Sequence, residues 1–168
     1  LRQHGMSVSD IARHDAKRII IEEYVTTGFN YRMTDIQASV GIEQLKKLEY
    51  MLKERRRVVE IYRECLKGIS WLKMPSESEY CKSNWQSYPV RILDNSPLSR
   101  DELMQFLLDC GISTRPGIMN IHHEKAYDSK IYLKNSEFAR KRVILLPFFY
   151  GISDNQIKEI TQKIKDAR

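Results

Sequence analysis

Glycine and cysteine are scarce in this chain, and no apolar run in it is long. Its 168 residues hold seven glycines, too few and too scattered to build a glycine-rich phosphate loop of the Walker or dinucleotide-binding type. The three cysteines, Cys65, Cys81 and Cys110, are odd in number and lack close paired spacing, so neither a disulfide framework nor a cysteine-based zinc site is indicated. Reduced, packed thiols are expected. No apolar segment approaches the roughly 20 residues a membrane span needs, and no charged-then-apolar leader opens the chain. The expectation is a cytoplasmic protein without a membrane partner.

Hydrophobic residues make up 42% and charged residues 30%, the balance of an ordinary globular chain. A domain near this length buries roughly 70% of its unfolded surface, enough for a real core. The net charge of +6 raises nucleic acid as a partner. Against that, the cations are spread over helical stretches and interleaved with Glu and Asp, which describes a solvated surface. The run from Lys53 through Glu54, Arg55 and Arg56 to Arg57 reads the same way, because no second helix at fixed geometry accompanies it. No nucleic-acid role is therefore expected. A stand-alone basic module binding nucleic acid or a protein is kept as the alternative from another class.

The organising stretch is residues 28–37, Gly-Phe-Asn-Tyr-Arg-Met-Thr-Asp-Ile-Gln. Thr34 and Gln37 form a capping box, so a helix begins at Asp35. Asn30 and Arg32 precede it, on a segment pinned by that cap. Amide and guanidinium donors beside a helix N-terminus suit a phosphate. The same residues also admit a plainer reading, in which Asn30 shapes a turn and Arg32 pairs with a surface carboxylate. Residue chemistry alone does not choose between the two.

Upstream, residues 1–27 read as a loop, a short helix within 7–18 and an irregular extended stretch. From Asp35 to about Lys67 the apolar positions Ile36, Val40, Leu45, Leu48, Leu52, Val59, Tyr62 and Leu66 predict one continuous helix of about 50 Å with a single buried stripe, ended by Gly68. Residues 85–93 read as a strand with Tyr88, Val90 and Ile92 on one face, and Pro89 argues for an edge position. Capping boxes at Ser99 with Glu102 and at Ser153 with Gln156 open two further helices. Residues 112–115 and 143–146 read as short strands, and 137–142 as a short helix. The order from Trp85 onward predicts a compact α+β module.

His122-His123-Glu124 has the residue types of a metal site. Adjacent histidines on a loop are expected to point in different directions, and no other His or Cys is spaced to complete a shell. No metal is expected, and a histidine in a polar pocket is.

The motifs together resemble the DegT/DnrJ/StrS-type sugar aminotransferases, pyridoxal-phosphate enzymes of the aspartate aminotransferase fold. The resemblance is carried by residues 28–38, by Leu1-Arg-Gln-His-Gly5, by Gly41-Ile-Glu-Gln-Leu45 and by Ser83-Asn-Trp-Gln-Ser-Tyr88. It continues through Gly111-Ile-Ser-Thr-Arg115, the segment from Ile121-His122 to Ala126-Tyr127, Leu146-Pro147 and Ser153-Asp154. It implies a cofactor, pyridoxal 5'-phosphate held on a lysine, and transfer of an amino group from a donor such as glutamate to a keto-sugar nucleotide. It further implies a homodimer with shared active sites, in which Asn30 reaches the phosphate of the cofactor in the partner subunit and Arg32 serves the same pocket. Arg115 and His122 match positions near the substrate.

In that family the lysine, the aspartate facing the pyridine nitrogen and the aromatic residue over the ring lie upstream of the Leu-Arg-x-His-Gly segment. No catalytic residue is therefore assigned here. The resemblance implies the C-terminal portion of such an enzyme, inactive alone: residues 1–33 as the tail of the cofactor domain, 34–68 as an interdomain helix and 69–168 as a small α+β domain.

Overall fold

The computed structural model describes residues 4–9, 12–13, 15–21, 23–127, 129 and 131–167. The chain divides into two compact units, Leu1–Leu48 and Glu49–Arg168.

In the first unit, a bridge between Met6 and Tyr24 and a bond from Val25 N–H to Gly5 O at 3.1 Å hold two irregular segments together. Gly5 has φ +79°, and a Cβ there would lie 2.0 Å from the Thr26 carbonyl oxygen, so only glycine fits. Residues 12 and 13 are helical. The rest of the short helix expected there falls partly on residues 10, 11 and 14, outside the described ones. Helix α1, Asp35–Leu45, starts with the predicted capping box: Thr34 Oγ1 accepts from Gln37 N–H at 3.3 Å, and Gln37 Oε1 accepts from Thr34 N–H at 2.9 Å.

α1 buries nothing within its unit. Ile36 and Val40 are exposed, as are Ile19 and Ile21 before it. The expected continuous helix is in fact two, because the chain turns at Lys46 and Lys47 before α2, Leu48–Leu66, begins. Lys47 N–H bonds back to Gln44 O at 3.0 Å, the tightened spacing of a helix end. The sequence hints at the break: Val40 to Leu45 is a step of five, which carries the apolar stripe off its face. The stripe is buried only from Val58 onward, through Val59, Tyr62 and Leu66.

The second unit adds β1 (Leu72–Lys73), β2 (Tyr88–Ile92), α3 (Arg100–Asp109), β3 (Arg115–Pro116), a single 3-10 turn (Ile121–His123), α4 (Lys134–Arg142), β4 (Val143–Leu146) and α5 (Asp154–Asp166). The strands form one antiparallel sheet in the order β1-β2-β4-β3. β2 therefore lies inside the sheet rather than at its edge. Pro89 is tolerated because β1 pairs only with Arg91 and Ile92, leaving one flank of β2 open beside the proline. Strand β1 was not legible: two residues show no alternation.

Pairing of Tyr88 with Leu146, Val90 with Ile144 and Ile92 with Leu72 puts these side chains on one face. That face joins Val59, Tyr62 and Leu66 of α2, Leu103 and Leu107 of α3, and Ile157, Ile160 and Ile164 of α5 in a single core. Burying each such side chain contributes about 1.5–3 kcal/mol, which makes this sheet and these helices the stable body. Tyr62 and Tyr88 stack at its centre with ring centroids 4.8 Å apart. The opposite face carries Pro89, Arg91, Val143 and Leu145, where Arg91 sits over the Phe138 ring of α4 at 5.8 Å.

Candidate functional site

Asn30 and Arg32 lie in the first unit, both exposed, on the loop that enters α1. Asn30 Oδ1 accepts from Arg32 N–H at 3.3 Å, the Asx turn of the plainer reading. That bond also orients the amide: with Oδ1 turned back to the chain, Nδ2 is the end left to donate outward. Phe29 and Tyr31 stack at 5.4 Å and flank it. The donor set at this loop is an amide and a guanidinium beside a capped helix start, which fits a phosphate group.

Arg115 and His122 lie in the second unit. Arg115 is exposed on β3, opposite Leu145. His122 is buried, at 8% exposure, in the 3-10 turn. The structure brings it together with residues that sequence reading did not select. His122 Nε2 lies 2.8 Å and His123 Nε2 2.5 Å from the same oxygen, Oε1 of Glu137 on α4. The expectation that the two histidines diverge is thereby corrected. A single 3-10 turn sets their rings edge to face, at 89°, and lets both reach one carboxylate.

Arg140, one turn beyond Glu137, bonds to His123 Nδ1. The signal available in the sequence was the spacing of Glu137 and Arg140, three apart on one helical face. Three ligand-type atoms thus fall within 4.8 Å of one another. The protons define their role. A guanidinium only donates, so His123 Nδ1 accepts and its proton is on Nε2, directed at Glu137. A metal on Nε2 would force that proton onto Nδ1, against Arg140. The cluster is a clasp between the turn and α4. Its two histidine donors, His122 foremost, outweigh burial and hold the Glu137 carboxyl below the usual carboxylate range.

A second junction joins α2 to α5. Arg57 bonds to Glu54 at 3.0 Å, to the Ile152 carbonyl at 3.3 Å and to Asp154 in the first turn of α5. Beside it a cavity of about 60 Å³ is lined by Met51, Glu54, Gln86, Phe148 and Tyr150. Tyr50 stands edge-on to Tyr150, with centroids 6.2 Å apart, and the nearby Tyr150 phenol raises the Tyr50 phenol above its ordinary value. The charge run that includes Arg57 is thus more than solvated surface. Arg55 and Arg56 bond to the carbonyls of Asn84 and Ser83, fixing the strand-entry loop.

Among the described residues no helix is long and apolar enough to cross a membrane. The chain is 30% identical to MJ1066, an uncharacterized protein of Methanocaldococcus jannaschii, over 98% of its own length and 44% of that protein's. Spr1654 of Streptococcus pneumoniae, assigned as a sugar aminotransferase and solved in its PMP form, superposes with TM-score 0.80 at 23% identity, over 99% of this chain and 43% of that one. A DegT DnrJ EryC1 StrS aminotransferase from Brucella abortus superposes with TM-score 0.73 at 26% identity, over 98% of this chain and 40% of the other. The chain thus spans about two-fifths of the length of the relatives it matches. Residues 1–165 match the model of the DegT/DnrJ/EryC1/StrS aminotransferase family, so the chain belongs to that family.

Proposed function

We propose that this chain is the C-terminal portion of a pyridoxal-phosphate-dependent aminotransferase that passes an amino group from glutamate to a keto-sugar nucleotide, working as a cytoplasmic homodimer. The observation that carries the reading is the match of residues 1–165 to the family model, and the Asn30 amide and Arg32 guanidinium beside a capped helix start agree with it. The family membership and the PMP form of a structural neighbour support it. When bound, pyridoxal phosphate supplies the electron sink for moving the amino group. This chain's own residues do the rest of its share. Asn30 Nδ2 and the Arg32 guanidinium hold the phosphate of the cofactor in the partner subunit, while Arg115 and His122 face the sugar nucleotide. Glu137 fixes the His122 tautomer by accepting from Nε2, so that Nδ1 is left as an acceptor for a substrate hydroxyl.

The lysine that would hold the cofactor covalently lies outside these 168 residues. Incubating the chain with pyridoxal phosphate and then borohydride is expected to trap no stoichiometric adduct on any of its lysines. Such an adduct would overturn the reading. In the longer protein, Asn30→Ala is expected to weaken cofactor binding about tenfold, as for loss of one charge-assisted hydrogen bond.

A further inference from the structure

The outer face of the sheet carries charge that the fold does not neutralise. Register sets Lys73 of β1 directly opposite Arg91 of β2, so both side chains stand on the same face. Like charges in that relation repel. Neither has a carboxylate partner among the described residues, although the neighbouring Arg142 and Arg100 both do. Arg91 Nε is moreover buried without an acceptor. Both cations border an open hollow of about 250 Å³, which Met74, Pro75, Ser76, Pro89, Val90 and Val143 complete, with no Asp or Glu in its lining. Like charges held opposite each other by the register destabilise the fold, and an anion in the hollow would relieve them.

We propose that this hollow binds a phosphate group between the Lys73 ammonium and the Arg91 guanidinium, with the Ser76 hydroxyl as a third donor. Charge selects phosphate. A phosphate monoester carries about −1.5 to −2 at pH 7 and matches two cations, whereas one carboxylate leaves a cation uncompensated. The guanidinium is pre-positioned by the Phe138 ring beneath it, which lowers the ordering cost of binding. None of these residues belongs to the Asn30 loop, so this proposal does not depend on the function proposed above.

The test is a titration of the isotopically labelled 168-residue chain at constant ionic strength, with inorganic phosphate, a nucleoside diphosphate and chloride in separate arms. Saturable shifts in the Arg91 Nε–Hε and Ser76 amide signals with phosphate, absent with chloride, are expected. Tighter binding of the nucleoside diphosphate would identify an ester-borne phosphate as the source, and equal or tighter binding of the inorganic ion a free anion. Lys73→Gln is expected to weaken binding about tenfold and Arg91→Gln at least as much. Lys73 is exposed, so its variant tests the site even where Arg91→Gln impairs folding. A chloride response equal to that of phosphate, an unchanged titration in Lys73→Gln, or shifts confined to residues 28–34 would overturn the proposal.

Discussion

Tyr62 on α2 donates its hydroxyl to the carbonyl oxygen of Pro147, 85 residues later, at 2.7 Å. The bond satisfies the backbone where β4 ends and anchors α2 to the sheet. Tyr62→Phe keeps the stack on Tyr88 and removes only this bond, so a loss of about 1 kcal/mol is expected, read as a lower urea midpoint at unchanged m.

Gly117 packs on Val143, and a Cβ at this position would come within 2.2 Å of Val143 Cγ1. Its N–H also donates to the Val143 carbonyl at 2.9 Å, tying the segment after β3 to β4. Relief would require the segment to part from β4. Gly117→Ala is expected to destabilise by about 1–3 kcal/mol, and thermal unfolding measures it. A melting temperature equal to wild type would show that the segment yields freely.

The capping boxes allow a comparison within one protein. Ser99 and Ser153 cap α3 and α5, whose apolar faces are in the core, whereas Thr34 caps α1, which buries nothing in its unit. Ser99→Ala and Ser153→Ala should each cost about 1 kcal/mol of global stability. Thr34→Ala should lower helicity by circular dichroism and leave the main unfolding transition in place, since that helix buries none of its residues.

Glu137 supplies one acid-sensitive element. Its carboxyl is held below the ordinary value by bonds from His122 and His123. A depressed folded-state pKa contributes stability above the unfolded value, and that contribution is lost as pH falls through the folded value. The urea midpoint should therefore drop below about pH 4.5, the ordinary carboxylate range. Glu137→Gln should be less stable at neutral pH and fall less steeply across that window, the remaining slope coming from Glu77 and Glu102, whose carboxyls are lowered by the Ser83 and Ser99 backbone N–H groups. Parallel curves for the two proteins would place the acid sensitivity elsewhere.

Alkali acts on the aromatic core. Burial pushes the Tyr88 phenol up to about 12 and raises Tyr62 as well. Raised pKa values favour the neutral phenols of the folded state, so stability is intact below the unfolded value near 10 and declines as pH rises from there toward 12. A Tyr88→Phe variant, which removes a buried hydroxyl that has no partner, should decline less steeply.

Much of this protein is decided locally. Thr34 with Gln37, Ser99 with Glu102 and Ser153 with Gln156 each start a helix where the capping chemistry says, because the bonds span only three residues. The alternation of Tyr88, Val90 and Ile92 and the stripe of Ile157, Ile160 and Ile164 likewise follow from period, and the spread of motifs carried the family.

Tertiary structure decided what depends on long-range partners. The helix expected through Lys46 and Lys47 is two helices, and its apolar stripe is buried only from Val58 onward, where it meets the core of the second unit. Pro89 sits in an inner strand because β1 is too short to reach it. His122 and His123 converge on Glu137 because α4 packs where the 3-10 turn ends, across a separation of 14 to 15 residues that no spacing rule encodes. Lys73 meets Arg91 only through strand register. Local bonds are written in neighbouring residues. A clasp or an opposed pair of charges is written in the packing that brings distant ones together.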